Sequence, residues 1–155
     1  MYIDPVKVGE ELRGLQGGVI DTSSLIYLEK IQMLETAADF FQFLLPAGVV
    51  EEFGCCPDGC VVHVVRESLS TDQAVVWLAE QLGQPVLSED RQLLLASARR
   101  GLTYYNTLML LLSLVLQKKL DVARYRKAYA GLRATARYSP VVWQAGAQVF
   151  SLYVR

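Results

Sequence analysis

The sequence is poor in the residues that announce many common chemistries. Histidine occurs once, at His63, so no histidine-based acid–base pair or multi-histidine metal site is available. Cysteine occurs three times, all within Cys55-Cys56-Pro57-Asp58-Gly59-Cys60. An odd number in one short loop argues against a disulfide framework. With His63 the cysteines have the composition of a Cys₃His zinc site. Adjacent cysteines rarely both ligate one ion, however, and a reduced loop beside a strand histidine is the simpler reading. No low-complexity tract or repeat is present, and the start lacks the basic-then-apolar pattern of a secretion signal. The longest apolar run, Leu108 to Leu116, falls well short of the about 20 residues that span a bilayer. These absences lead us to expect a cytoplasmic, membrane-free protein.

What is present is a globular composition, 52% hydrophobic and 20% charged over 155 residues, enough for one domain with a real core. A net charge of −1 conceals a steep asymmetry. Residues 1–90 hold 15 acidic and 4 basic side chains, net −11; residues 91–155 hold 1 acidic (Asp121) and 11 basic, net +10. An acidic half suits cation binding and a basic half an anionic partner, although mutual attraction of the halves explains the same pattern. Arg99-Arg100, Lys118-Lys119 and Arg124-Tyr125-Arg126-Lys127 read as a diffuse basic surface.

Residues 1–17 form a lead-in with Val8, Leu12 and Leu15 on one helical face, broken by Gly17-Gly18. The domain proper is expected over 18–155. Short strands are expected at Val19-Ile20, Phe43–Leu45, Val61–Val65, Pro85–Leu87 and Leu102–Tyr105. Helices are expected after each, starting near Thr22, Glu35, Pro46, Thr71 and Asp90, with three more near 107–118, 120–135 and 140–152. Strands alternating with helices imply a three-layer α/β/α sandwich around a parallel sheet of about five strands, with a helical C-terminus. Ligands of such sheets sit beyond the carboxyl ends of the strands.

Four carboxylates fall there. Asp21 ends the first strand, Glu52 lies in the helix after the second, Asp72 opens the helix after the third, and Asp90 follows the fourth. At about 100° per residue, Glu51 points roughly 155° from the apolar face of its helix and Glu52 about 105°, at the boundary. By the same reckoning Asp90 lies at a boundary and Glu89 nearly opposite the core. Asp72 shares a face with Val75, Val76 and Ala79. Clustered carboxylates repel one another unless a cation neutralises them, and Mg²⁺ or Mn²⁺ prefers oxygen ligands. Such an ion suits hydrolysis of a phosphodiester. Asp72 and Asp90 as dipole-favoured acids at helix N-termini, and Glu52 as a solvated helix residue, are the plainer alternatives.

The segment Val19-Ile20-Asp21-Thr22-Ser23-Ser24-Leu25-Ile26 resembles the opening motif of PIN domains, an apolar strand followed by Asp-x-Ser/Asn and a helix. Pro46-Ala47-Gly48-Val49-Val50-Glu51-Glu52-Phe53 is similar to the second motif, Asp72–Ala79 to the third, and Leu87-Ser88-Glu89-Asp90-Arg91 to the fourth. Tyr105-Asn106-Thr107-Leu108 resembles the family's last strand-to-helix turn. Across roughly residues 18–150, the resemblance implies an Mg²⁺- or Mn²⁺-dependent endoribonuclease with Asp21, Glu52, Asp72 and Asp90 as metal-binding and catalytic residues. Ser23, Asn106 and Thr107 would support them by hydrogen bonds. It also implies an RNA substrate, frequent homodimers and, where the protein is the toxin of a toxin–antitoxin pair, a small antitoxin that obstructs the site. Asn106 stands where the family often has an acid. That departure favours the rival reading, an inactive PIN-like module that binds a protein or RNA partner. A receiver-like or phosphatase-like domain fits less well, since Asp21 is alone in its motif and no lysine lies near Tyr105.

Overall fold

The computed structural model describes residues 3–154. Its backbone divides into two compact units, one of Gln16–Thr107 and one of Met1–Leu15 with Leu108–Arg155. The charge asymmetry follows this division. The first unit carries five basic against twelve acidic side chains, net −7, and the second ten basic against four acidic, net +6.

The unit Gln16–Thr107 is built on five parallel strands: β1 (Gly17–Ile20), β2 (Gln42–Pro46), β3 (Val61–His63), β4 (Val86–Leu87) and β5 (Tyr104–Tyr105). Their order is β3-β2-β1-β4-β5. The intervening helices are α2 (Thr22–Lys30), α3 (Leu34–Phe40), α4 (Ala47–Phe53), α5 (Thr71–Leu82) and α6 (Arg91–Arg99). From β1 the chain steps outward through β2 to β3, then crosses back to β4 and β5. Parallel crossovers are right-handed, so α2–α4 cover one face and α5–α6 the other. This is the α/β/α fold class read from the sequence, with a helical C-terminus.

β1 is central and buried on both faces, which explains its lack of polar alternation. Val19 lies opposite Leu44 on one side and Val86 on the other, and Ile20 opposite Leu87. Phe43, Leu45, Val49, Leu25, Leu28, Val75 and Leu87 complete a core with no residual exposure. Gly17 and Gly18 are part of β1 rather than a break before it; α1 has already ended, at Arg13 with Gly14 as its cap. Gly18 is needed because β4 comes so close. A Cβ there would lie 2.6 Å from the Pro85 carbonyl oxygen and 3.2 Å from Leu87 Cγ.

Three strands are shorter than their sequence suggests: β4 starts only at Val86, β5 only at Tyr104, and β3 ends early. β3 stops at His63, and Val64 is 89% exposed. Val61 and Val62 are exposed too, on an edge strand paired only with β2. Helix ends follow the sequence more closely. Ser70 and Gln73 form a reciprocal capping box on α5, and Gly83 closes that helix in the left-handed region.

The second unit holds α1 (Pro5–Arg13), α7 (Thr107–Leu116, of which Leu108 onward belongs here), α8 (Val122–Thr135) and α9 (Pro140–Tyr153). The lead-in is thus a helix grouped with the C-terminal ones. The apolar run Leu108–Leu116 is a buried helix, with Leu110, Leu111 and Leu114 fully enclosed. Ser113 and Gln117 donate to the Leu12 carbonyl at 2.7 and 3.0 Å, and Gln117 also to that of Leu15 at 2.8 Å, satisfying acceptors at the end of α1. Tyr153 donates to the Val6 carbonyl at 2.9 Å. Among the described residues, no helix is long and apolar enough to cross a membrane.

Candidate functional site at the ends of β1 and β4

The strand order reverses between β1 and β4, and in open parallel sheets that is where the carboxyl ends leave a crevice. Asp21 follows β1 there and is 6% exposed. It occupies the N-cap position of α2 in extended conformation but makes no capping bond, so its carboxylate is directed elsewhere. Its Oδ2 accepts the Ser23 hydroxyl at 2.9 Å and the Ser88 hydroxyl at 3.0 Å. Each serine in turn accepts a backbone N–H from the turn between β4 and α6. Glu89 donates to Ser23 Oγ and Asp90 to Ser88 Oγ, both at 3.0 Å. Two relays therefore hold Asp21 in place and leave Oδ1 without a protein donor among the described residues.

The other predicted carboxylates stand around it. Glu52, in the last turn of α4, is exposed and accepts the Thr22 hydroxyl at 3.4 Å, one residue from Asp21. Gly48 lets α4 approach α5, for a Cβ on it would meet Thr71 Oγ1 at 2.8 Å. Asp72, in the first turn of α5, has its carboxyl pushed above the usual carboxylate range, first by burial and then by Asp21, Asp90 and Glu52. Asp21, Asp90 and Glu52 thus all lie within electrostatic reach of Asp72. Asp90 also fills the role of its plainer alternative. It caps α6, with Oδ1 accepting from Gln92 N at 2.9 Å and Leu93 N at 3.4 Å. Oδ2 is left for other partners. None of the four is paired with a lysine or arginine among the described residues.

Asp72 gives a testable sign. A carboxyl raised in the folded state contributes stability below its unfolded pKa, and that contribution is lost as pH rises through the folded value. At neutral pH the ionised Asp72 therefore opposes folding, despite the helix dipole that favours it. Asp72→Asn is expected to raise the melting temperature at pH 7 in EDTA by about 1–3 °C, a small effect because the group is largely solvated. The gain is expected to vanish in acid below the carboxylate range. Thermal denaturation across that pH window would refute it by showing no gain, or a loss, at pH 7.

Glu89 departs from the helical-wheel expectation that it points away from the core. It is half-buried, and its carboxylate accepts the Ser24 hydroxyl at 2.7 Å and the Thr107 N–H at 2.9 Å, tying the end of β4 to α2 and to the turn after β5. Thr107 acts through this backbone bond, while its fully buried Oγ1 has no partner among the described residues. Asn106 is buried beside it. Ser24, Ser88 and Glu89 were not singled out from the sequence. The signal for Ser88 was its place immediately after β4, and for Ser24 its place on the same helix face as Leu28.

Among the described residues no three Asp, Glu, His or Cys side chains stand close enough to ligate one ion unaided. The donor set fits a hard cation held by one or two carboxylates, with water bridging to the rest, as Mg²⁺ commonly is. The cysteines lie elsewhere in the unit as free thiols. Cys60 is pushed up to about 11, by burial and then by Cys56 and Cys55. Comparison with known proteins found no matching family model, no matching curated protein and no matching solved structure.

Proposed function

We propose that the protein is an Mg²⁺- or Mn²⁺-dependent endoribonuclease whose site is formed by Asp21, Glu52, Asp72 and Asp90. The supporting observation is that Asp72 lies within electrostatic reach of Asp21, Asp90 and Glu52, acids from three other segments, while none of the four pairs with a lysine or arginine among the described residues. The PIN-like order of the motifs supplies the reaction class. When bound, a divalent cation would lower the pKa of an attacking water and offset charge developing on the scissile phosphate. Asp21 would hold that cation through Oδ1, its orientation set by Ser23 and Ser88. Asp90 would contribute Oδ2, and Glu52 and Asp72 would act directly or through water. Asp72, whose charged form is disfavoured by burial and by its acidic neighbours, would serve as a proton acceptor. Ser23 and the Thr107–Glu89 bond would keep the loops after β1, β4 and β5 in register around the substrate. The resemblance further proposes a homodimer and, for a toxin, a small antitoxin covering these residues.

A second reading, a PIN-like module that binds RNA or protein without cutting, is favoured by the spread of the carboxylates and by Asn106. Calorimetric titration with Mn²⁺ beside cleavage of structured RNA separates the two. The nuclease reading expects Mn²⁺ binding, and cleavage that EDTA abolishes. Binding of Mn²⁺ with every RNA left intact would turn the assignment to the second reading.

A further inference from the structure

The nuclease reading leaves the helical unit without a role, yet that unit carries the protein's most one-sided charge. From Val122 to Val154 there is no aspartate or glutamate, while Arg124, Arg126, Lys127, Arg133 and Arg137 are all exposed. Two of these arginines are held in place by aromatic rings of α9. Arg133 lies over Trp143, 4.6 Å from the ring centroid, and Arg126 over Phe150 at 5.5 Å. The rings are themselves fixed. Phe150 stacks on Tyr125 at 4.9 Å, and Trp143 meets Tyr129 edge-on at 5.6 Å. Arg126 and Arg133 are seven residues apart, so they share one stripe of α8, separated by about 10 Å along its axis.

We propose that this stripe is a docking surface for single-stranded RNA; the inference rests on RNA being the substrate. A guanidinium ordered over a ring has already lost much of its rotamer freedom and still presents N–H donors that fork onto a phosphate. Its flat outer face is a platform on which an unpaired base stacks, as bases do on arginine planes and aromatic rings. A duplex offers only its backbone to such a surface, because its bases are already stacked. Neither arginine forms an ion pair with a carboxylate among the described residues.

The test uses the full chain bearing Asp21→Asn, in EDTA, so that binding is read without cleavage or metal. The probe is a short labelled single-stranded oligoribonucleotide followed by fluorescence anisotropy. Adding Arg126→Gln and Arg133→Gln is expected to weaken binding by about tenfold or more at low salt. It should also flatten the slope of log K against log salt by about 1.4, at roughly 0.7 per phosphate contact on a single strand. Arg126→Lys with Arg133→Lys is expected to keep the slope and lose the preference for single strand over duplex, since lysine retains charge without a plane. Unchanged affinity and slope in the glutamine pair would overturn the proposal. So would displacement of the RNA by polyglutamate as effectively as by unlabelled RNA, which would assign the stripe to an acidic protein. If the glutamine pair fails to fold, the lysine pair decides, and wild-type strand preference in it counts against the proposal. None of these results bears on cleavage in Mn²⁺, so the nuclease reading stands or falls separately.

Discussion

Asp21→Asn is expected to lower RNA cleavage in Mn²⁺ by on the order of 10³-fold, comparable to removing a single charge-stabilising group from a preorganised site. The fold is expected to survive. Asparagine has nearly the same shape, and its side-chain oxygen accepts the Ser23 and Ser88 hydroxyls as Oδ2 does now. Replacing a buried anion beside Glu52, Asp72 and Asp90 also removes repulsion, so the melting temperature in EDTA should match or exceed that of the wild type. Calorimetry should show weakened Mn²⁺ binding in the same variant. Full cleavage activity in a well-folded Asp21→Asn protein would remove Asp21 from the chemistry and, with it, the logic of the site.

The second large effect concerns stability. Gly18→Ala places a methyl 2.6 Å from the Pro85 carbonyl oxygen, which already accepts the Val19 N–H at 2.9 Å. The obstacle is backbone, so no side-chain rotation relieves it, and β1 is held on its other flank by β2. Either β4 moves away and that hydrogen bond is lost, or β1 bends. Overpacking of this kind costs about 1–3 kcal/mol, or about 3–10 °C in melting temperature for a chain of this size. Because β4 delivers Ser88 to Asp21, cleavage should fall as well. A melting temperature within a degree of wild type would refute the close approach of β1 and β4 as the reason for glycine.

Much of the fold could be read from the residues, and the failures have specific causes. Asp21 was legible because an aspartate directly after a short apolar strand is placed by the sheet itself. Gly17-Gly18 was misread as a break, since the demand for glycine comes from the neighbouring backbone at Pro85, distant in sequence. The run from Val61 to Val65 has the composition of a buried strand, but composition does not reveal an edge position. β3 accordingly pairs for three residues with two of its valines exposed. Glu89 was misassigned because a helical wheel was extended past the helix start. Asp90 is the N-cap, with ψ 113°, so the 100° step does not apply to Glu89. The serine relays were invisible because serine after a strand is common, and what distinguishes Ser88 is its contact with Asp21 across 67 positions.

The tie between the two ends of the chain sets an order of events during synthesis. α1 emerges before α7 and α9, but the side chains that satisfy its final carbonyls are Ser113 and Gln117, and Tyr153 reaches Val6 only from the end of α9. At about 5–20 residues per second, the first helix waits on the order of ten seconds or more for its partners. Meanwhile the stretch Gln16–Thr107 contains every strand of the sheet. The sheet can thus form before the C-terminal helices are free to pack, and α1 is latched only once they are.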